Sequence, residues 1–526
     1  MARAELERLT VDKFKGYSQP GTLEVKPVTV LVGSNNSGKS SLIQALLLLK
    51  QTLVDPRPEV SLLLSGPFVD GGSFSDLVSG WPEERGHFDL ELTWSSTVEL
   101  NRAFGEKWPD LGNLKKLSGV SWIKRDTFEQ RLRTRLRLRF ASGATRQTHS
   151  LSWLSLSSQL IVDGSSRGAQ NPGFEYSGLA LWNGEELDQS KVSVELDHFI
   201  PSLLMNRAEL GPRDKHRSYY YGFRVLYQQP LEDLRELLRS FTYLDANRPR
   251  PTSLYSPATA PPVALGASGE FAAEMLHARQ TDNVCFLPPL QVTPSSAEAD
   301  KDVRALPLLE AVNAVMESLG VQQKLELRDI ENVGFRLMFG EANAPHVGRG
   351  LLYLLPTVLL GLIGDPLRYS KDAVPQPLAE YLGKCQRFSH AAIEEAEIHL
   401  HPKIQSRLAH WLVALGMAGR RLLVETHSDH LVRRLRGLIA RAGRNSQLEE
   451  WLLENVVVAE VNQDAVGNST VRCSRLTASG KLEHWPEGFM DESVDEEREI
   501  YAAGLSKVPQ AAPPAADTEF VETPEE

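Results

Sequence analysis

The sequence predicts an α/β protein organised around a phosphate-binding loop, and three observations carry that expectation. Residues 33–41 read GSNNSGKSS, directly after the apolar run VTVLV and opening the apolar helical stretch SSLIQALLLLKQTL. Between Phe88 and Trp153 the apolar residues recur with period two, in FDLELTW and RLRTRLRLRF, which calls for an antiparallel β section. After about residue 305 an alternation of helix-like and strand-like stretches returns, the pattern of an α/β lobe.

The elements follow in order. LERLTV reads as a strand, GYSQPG as a turn and VTVLV as a second strand, so the glycine-rich loop has a strand before it and a helix after it. That context gives GxxxxGKS a chemistry. Gly33 and Gly38 let the backbone curl so that its N–H groups, together with the helix N-terminus, face anionic oxygens. Ser34, Asn35, Asn36, Ser37 and Ser41 complete the loop, Lys39 supplies a point charge for the outer phosphates, and Ser40 supplies a hydroxyl for magnesium. The ligands this implies are ATP and Mg2+.

Hydrolysis needs an acidic partner at the end of another strand. AAIEEAEIHLHP (391–402) offers Glu394, expected on the metal's water shell, and Glu395, expected to orient or deprotonate the attacking water. An acidic helix start would look the same. Further on, RRLLVETHSDHL (420–431) is an apolar strand ending in Thr426, His427 and Ser428, which sets His427 beside a γ-phosphate. The expected organisation is an N-terminal lobe with phosphate loop and β section over 1–160, a large insertion over 161–304, and a C-terminal lobe over 305–450. A β segment follows over 451–500, with VVVAEV and STVRCSRL forming a hairpin around AVGN, and then a Pro/Ala/Glu-rich tail over 501–526 that is too polar to order itself.

Composition bounds the function. A formal net charge of −11 argues against a protein that coats nucleic acid, and three scattered cysteines suggest neither a disulfide framework nor a zinc site. The longest apolar run, LLYLLPTVLLGLIG (351–364), is too short for a bilayer and contains Pro356. A soluble, cytoplasmic protein is expected, with no membrane partner. In RLRTRLRLRF the arginines Arg131 to Arg139 fall on one face, which invites a nucleic-acid reading. Asp89 and Glu91 repeat at the same period, so cross-strand ion pairing is the favoured account. RDKHRSYYYGFR (213–224) interleaves basic and aromatic residues, as single-strand binders and ordinary surface loops both do. Glu397, His399 and His401 could suggest metal ligation, but they read better as the segment that follows the acidic strand.

The ordered set of phosphate loop, strand with two acids and strand with histidine resembles that of ABC-type ATPases of the SMC/RecF/OLD branch. SGPFVDGGSFSDLVSG (65–80), IEEAEIHLHPKIQ (393–405) and GKLEHWPEGFMDES (480–493) narrow the resemblance to AAA-family ATPases with a short C-terminal domain of unknown function. The resemblance implies an ABC-type, SMC/RecF-like ATPase head in which ATP is sandwiched between two protomers. A glycine-rich segment of one subunit, matched here by PHVGRGLLYLLP with Gly348 and Gly350, would cap the γ-phosphate held by the other. Three departures stand out: Leu352-Tyr353 replaces the usual polar pair, Ala396 replaces a common proline, and DPLRYSKDAVPQPLAEYLGKCQ (365–386) looks like an insert. The implied function is an ATP-hydrolysing switch subunit, a homodimer or higher homo-oligomer, controlling a separate nuclease or toxin effector in prokaryotic anti-phage defence. DNA or a phage-derived molecule would be its trigger. The alternative is a RecF-like repair ATPase that clamps DNA. No nuclease centre is legible: the strand after Glu460 carries no acids.

Overall fold

Two strands close together in the sequence have different burial, and that difference assigns them to different sheets. Glu5–Asp12 (β1) buries roughly every second residue, as a strand with one covered face does. Val28–Val32 (β3) is buried at all positions, which requires cover on both faces. Gly21–Glu24 (β2), between them, pairs antiparallel with β1.

In this computed structural model the described residues are 3–80, 86–99, 129–143, 148–161, 171–211, 214–257, 264–289, 303–363 and 389–484, with positions 260, 262, 496 and 499–501. The expected insert at 365–386, most of the WPEGF segment and the tail beyond 501 lie outside them. Residues up to Trp485 form one compact unit.

The β section is an antiparallel sheet in which β2 and β1 are followed by His87–Glu99 (β4), Glu129–Ser142 (β5), His149–Leu160 (β6) and three short strands. Its arginine face is ion-paired as the period suggested. Arg139 meets Asp89, Arg135 and Arg137 meet Glu91, and β1 adds Glu7 for Arg133 and Glu5 for Arg131.

The second sheet is mostly parallel and contains β3. Its order is Thr242–Leu244 (β7), Ser389–Glu394 (β8), Arg420–Glu425 (β9), β3, Val456–Gln463 (β10) and Ser469–Arg475 (β11), with only β11 antiparallel. β10 and β11 form the hairpin expected around AVGN. The segment 161–304, expected as an insertion, contributes β7 to this sheet and the helix Gln229–Ser240 (α2) to the core. Short apolar stretches between Pro, Gly and Ser residues hid those elements from a periodicity reading. Lys39–Val54 (α1) is buried nearly all round because it lies in one core with the antiparallel sheet and α2: Leu42, Leu46 and Leu49 share that cluster with Leu90, Trp94 and Leu234.

Polar ties join the two sheets at a register shift in β1 between Leu6 and Arg8. The Leu6 N–H donates to His390 Nε2 of β8 at 3.2 Å. Arg421 of β9 donates Nη1 to the carbonyls of Leu6 (3.3 Å) and Val25 (3.2 Å) and Nη2 to Glu5 (2.6 Å). Full burial, reinforced by the Arg421 charge, holds His390 well below its ordinary value of 6.5, so the imidazole is a neutral acceptor.

His390 therefore penalises the folded state in acid. The unfolded chain takes up a proton near 6.5 while the folded chain does not, so the contribution is intact above that pH and lost below it. Relative to His390→Asn, which keeps an acceptor but cannot titrate, the wild type should lose about 1.4 kcal/mol per pH unit below about pH 6.5. Urea unfolding at about pH 7.5 and 5.5 measures this; identical pH dependence in the two proteins would refute it.

Candidate functional site

The phosphate loop leaves β3 with backbone geometry that its glycines and one asparagine make possible. Gly38 has φ +106° and Asn36 φ +61°, both in the left-handed region. At Gly33 a Cβ would stand 2.1 Å from the carbonyl oxygen of Val461 in β10, so any side chain there collides with the neighbouring strand. Gly38 is the N-cap of α1 without a side-chain cap, and the first turn contains no acid. The helix thus begins with uncompensated N–H groups facing the loop, the arrangement that binds anions. Tyr17, from the turn between β1 and β2, donates to the Gly38 carbonyl at 3.0 Å and fixes the loop from outside.

Lys39 is buried. Its Nζ donates to the carbonyls of Gly33 (3.1 Å) and Ser34 (2.7 Å) and lies 3.9 Å from Glu425. Burial lowers the lysine's pKa, while Glu425 and Glu395 oppose that shift.

Acidic side chains converge on the same edge because β8, β9 and β3 are parallel and in register, with Glu394 opposite Glu425 and Glu425 opposite Leu31. Ser40 Oγ donates to the Glu425 carboxylate, at 3.0 Å to Oε2. Glu425, and not the Glu394 expected on the metal's water shell, is thus the carboxylate that contacts Ser40. Glu394 does not line the cavity over the phosphate loop. It lies beside Tyr243, and burial followed by Glu425 and Asp245 pushes its pKa up to about 8. The reason is a turn in the backbone: Glu395 has φ +44°, so the two neighbouring glutamates diverge, and Glu395 is the one that faces the cavity.

That cavity, about 600 Å³, is lined by Asn35 to Ser41 of the loop together with Glu395, Glu425 and His427. Gly16, Gln44, Gln463 and Ser469 complete it. Gly33 and Ser34 contribute the carbonyls that hold Lys39 rather than lining the space. Burial, then Lys39, lowers the pKa of His427 and favours the neutral imidazole. Its backbone N–H donates to Glu397 at 2.6 Å, so Glu397 orients the histidine turn.

Gly348 and Gly350 are not among the residues lining this chain's cavity. Gly350, at the start of the helix Arg349–Ile363 (α3), is buried, and a Cβ on it would stand 2.3 Å from the His399 carbonyl of the same chain. Gly348 is exposed with open space around it.

Sequence reasoning missed Glu425, although it ends the apolar run RRLLV just as Glu394 ends AAI. It also missed Gln463 and Ser469, which only the return of the C-terminal hairpin places here.

The residues present fit a nucleotide triphosphate with magnesium. Buried Ser37 Oγ and Ser469 Oγ have no hydrogen-bond partner among the described residues, and the α1 N-terminus is uncapped. Among the described residues no three His, Cys, Asp or Glu groups are arranged to hold a metal alone. A magnesium ion on Ser40 and Glu425 would take its remaining oxygens from phosphate and water, as Mg2+ commonly does.

No curated protein is significantly similar to the chain. Among solved structures, it is similar to an SMC head bound to the C-terminal winged-helix domain of ScpA (11% identity, TM-score 0.36, covering 90% of this chain and 98% of that one). It is also similar to the SMC head domain from Thermotoga maritima (12% identity, TM-score 0.31, 89% and 98% covered). A third is an Smc head with extended coiled coil bound to the C-terminal domain of ScpA, derived from Pyrococcus furiosus (10%, 0.35, 95% and 100%). Residues 5–78, which span β1, β2, β3, the phosphate loop and α1, match the family model of an AAA ATPase domain.

Proposed function

We propose that the protein binds and hydrolyses ATP at this cavity and uses the nucleotide to hold two copies of itself together. The observation that carries the reading is the convergence of the uncapped α1 N-terminus, Lys39, Ser40–Glu425, Glu395 and His427 on one space. The loop N–H groups and Lys39 bind the phosphates. Bound magnesium would neutralise charge on the outer phosphates. Glu395, aimed into the cavity, orients or deprotonates the attacking water, and His427, which lines the same cavity, would contact the terminal phosphate.

The phosphate loop covers one side of the nucleotide. Exposed Gly348, ahead of α3, is suited to supply N–H donors from a second protomer, which makes a symmetric pair with two shared sites. The output of such a switch is its assembly state. By the resemblance of its motifs, the partner it controls is a separate effector, a nuclease or toxin, in prokaryotic anti-phage defence. The RecF-like alternative gains no support from the arginine face, whose five arginines meet carboxylates.

Lys39→Ala removes the point charge of the cradle and should weaken ATP binding by on the order of 100-fold or more in calorimetry. Unchanged affinity would refute the site.

Glu395→Gln should retain ATP binding while turnover falls by a factor on the order of 10². Glu425→Gln should raise the magnesium concentration for half-maximal nucleotide binding about tenfold, and Glu394→Gln should change it less than about threefold. The opposite order would return the metal role to Glu394.

Gly348→Trp adds bulk where the chain itself has open space, so it should leave ATP binding intact and abolish ATP-dependent pairing. Mass photometry in the Glu395→Gln background, with and without ATP, reads this. Pairing that ignores Gly348→Trp would overturn the shared-site geometry.

A further inference from the structure

The peptide bond between Glu394 and Glu395 is held from both sides. Its N–H, on Glu395, donates to the Glu425 carbonyl of β9 at 3.0 Å. Its carbonyl, on Glu394, accepts from Arg248 Nη2 at 3.3 Å. The peptide sits at the point where the chain enters the left-handed conformation of Glu395, unusual for a residue with a side chain and retained only where surrounding contacts impose it. That conformation sends the two carboxylates to different places, Glu395 into the nucleotide cavity and Glu394 onto Tyr243.

Arg248 reaches this peptide because β7 runs parallel beside β8, with Leu244 opposite Ile393. The chain leaving β7 therefore emerges at the same edge as the acidic pair. Two bonds shape its exit: the Asp245 N–H donates to Ala267 and the Asn247 N–H to the Asp245 side chain. Arg248 is 5% exposed, a deep position for a guanidinium. Its Nε and Nη1 have no hydrogen-bond partner among the described residues, and its charged neighbours are Asp245, Glu394 and Glu395. On its other side it lines a cavity of about 340 Å³ with Leu352, Tyr353 and Pro356 of α3. A cation buried with donors to spare contributes little packing that an apolar residue could not. Among the described residues, its one side-chain hydrogen bond ends on the peptide that aims Glu395.

We propose that Arg248 is a positioning residue for ATP hydrolysis, which clamps the Glu394–Glu395 peptide so that Glu395 points at the attacking water. It rests on the ATPase reading and adds to it a residue that does not line the nucleotide cavity. Arg248 binds no phosphate in this role; it acts through Glu395. Removing it should slow the chemical step and spare nucleotide affinity.

The test is a double-mutant cycle on the full chain, with Arg248→Ala, Arg248→Lys and Glu395→Gln, reading steady-state ATP turnover and ATP affinity by calorimetry. Arg248→Ala should lower kcat by a factor on the order of 10² and change the Kd for ATP less than about threefold. Arg248→Lys keeps a charged donor for the Glu394 carbonyl and should recover at least about tenfold of that loss. In the Glu395→Gln background Arg248→Ala should cost less than about twofold more, because the side chain it positions is already disabled. Unchanged turnover, a loss that multiplies fully with Glu395→Gln, or an equal loss of affinity and kcat would each overturn the positioning role while leaving the ATPase reading intact. A wild type that binds ATP without turning it over would overturn the hydrolysis reading, and the role of Arg248 with it. If Arg248→Ala fails to fold, Arg248→Lys completes the cycle: a loss with Arg248→Lys that multiplies with Glu395→Gln overturns the proposal, and one that vanishes in that background supports it.

Discussion

The site depends on one constraint, the common direction of β7, β8, β9 and β3. Because these strands are parallel and in register, their C-terminal ends share an edge, and each delivers its next residues there. β3 brings the phosphate loop, β9 brings Glu425 and His427, β8 brings Glu394 and Glu395, and β7 brings Asp245 and Arg248. The four segments come from separate stretches of the chain. A ligand crevice at the carboxyl ends of parallel strands is a general property of such sheets, and here it gathers acids and bases from four segments.

Charge makes that edge demanding. Asp245, Glu394, Glu395, Glu397 and Glu425 lie within a small volume, against Lys39 and Arg248 as the cations among them. Burial and mutual repulsion raise the pKa values of Glu394, Glu397 and Glu425. Such a surplus of buried negative charge is stabilised by a divalent cation. The same surplus explains why the glutamates must be separated by backbone geometry: with both carboxylates on one side, their repulsion would add to the cost of burial.

What was legible in the sequence was the chemistry that is local. GSNNSGKSS states its own geometry, since two glycines, a lysine and a serine at fixed spacing define a cradle wherever a strand precedes and a helix follows. The ion pairing of Arg135, Arg137 and Arg139 was legible too, because strand period alone sets Asp89 and Glu91 across from them. Glu425 was visible as the last residue of an apolar run, yet nothing local says whether such a carboxylate turns to Ser40 or to solvent. Arg248 carried no signal, because its role follows from β7 adopting the edge position beside β8, a pairing between segments far apart in the chain. Gly350 stands out in the sequence only through the resemblance to a capping segment, and the structure gives the glycine a reason within the chain, the carbonyl of His399.

The placement of β3 also has a consequence for how the protein is made. Its two neighbours in the sheet, β9 and β10, are synthesised long after it, and the contact between Ser40 and Glu425 spans 385 residues. The segment 5–78 that matches an ATPase family model thus lacks both strands that flank its own β3, and α1 has nearly every residue committed to a core that later segments complete. On the ribosome that apolar helix waits for the antiparallel sheet and α2 before most of its core is present, and for β9 and β10 before β3 is flanked. Closure of the sheet around β3 is therefore a long-range event, and Leu42 to Leu53 stay open to chaperones or to aggregation until α2 has followed.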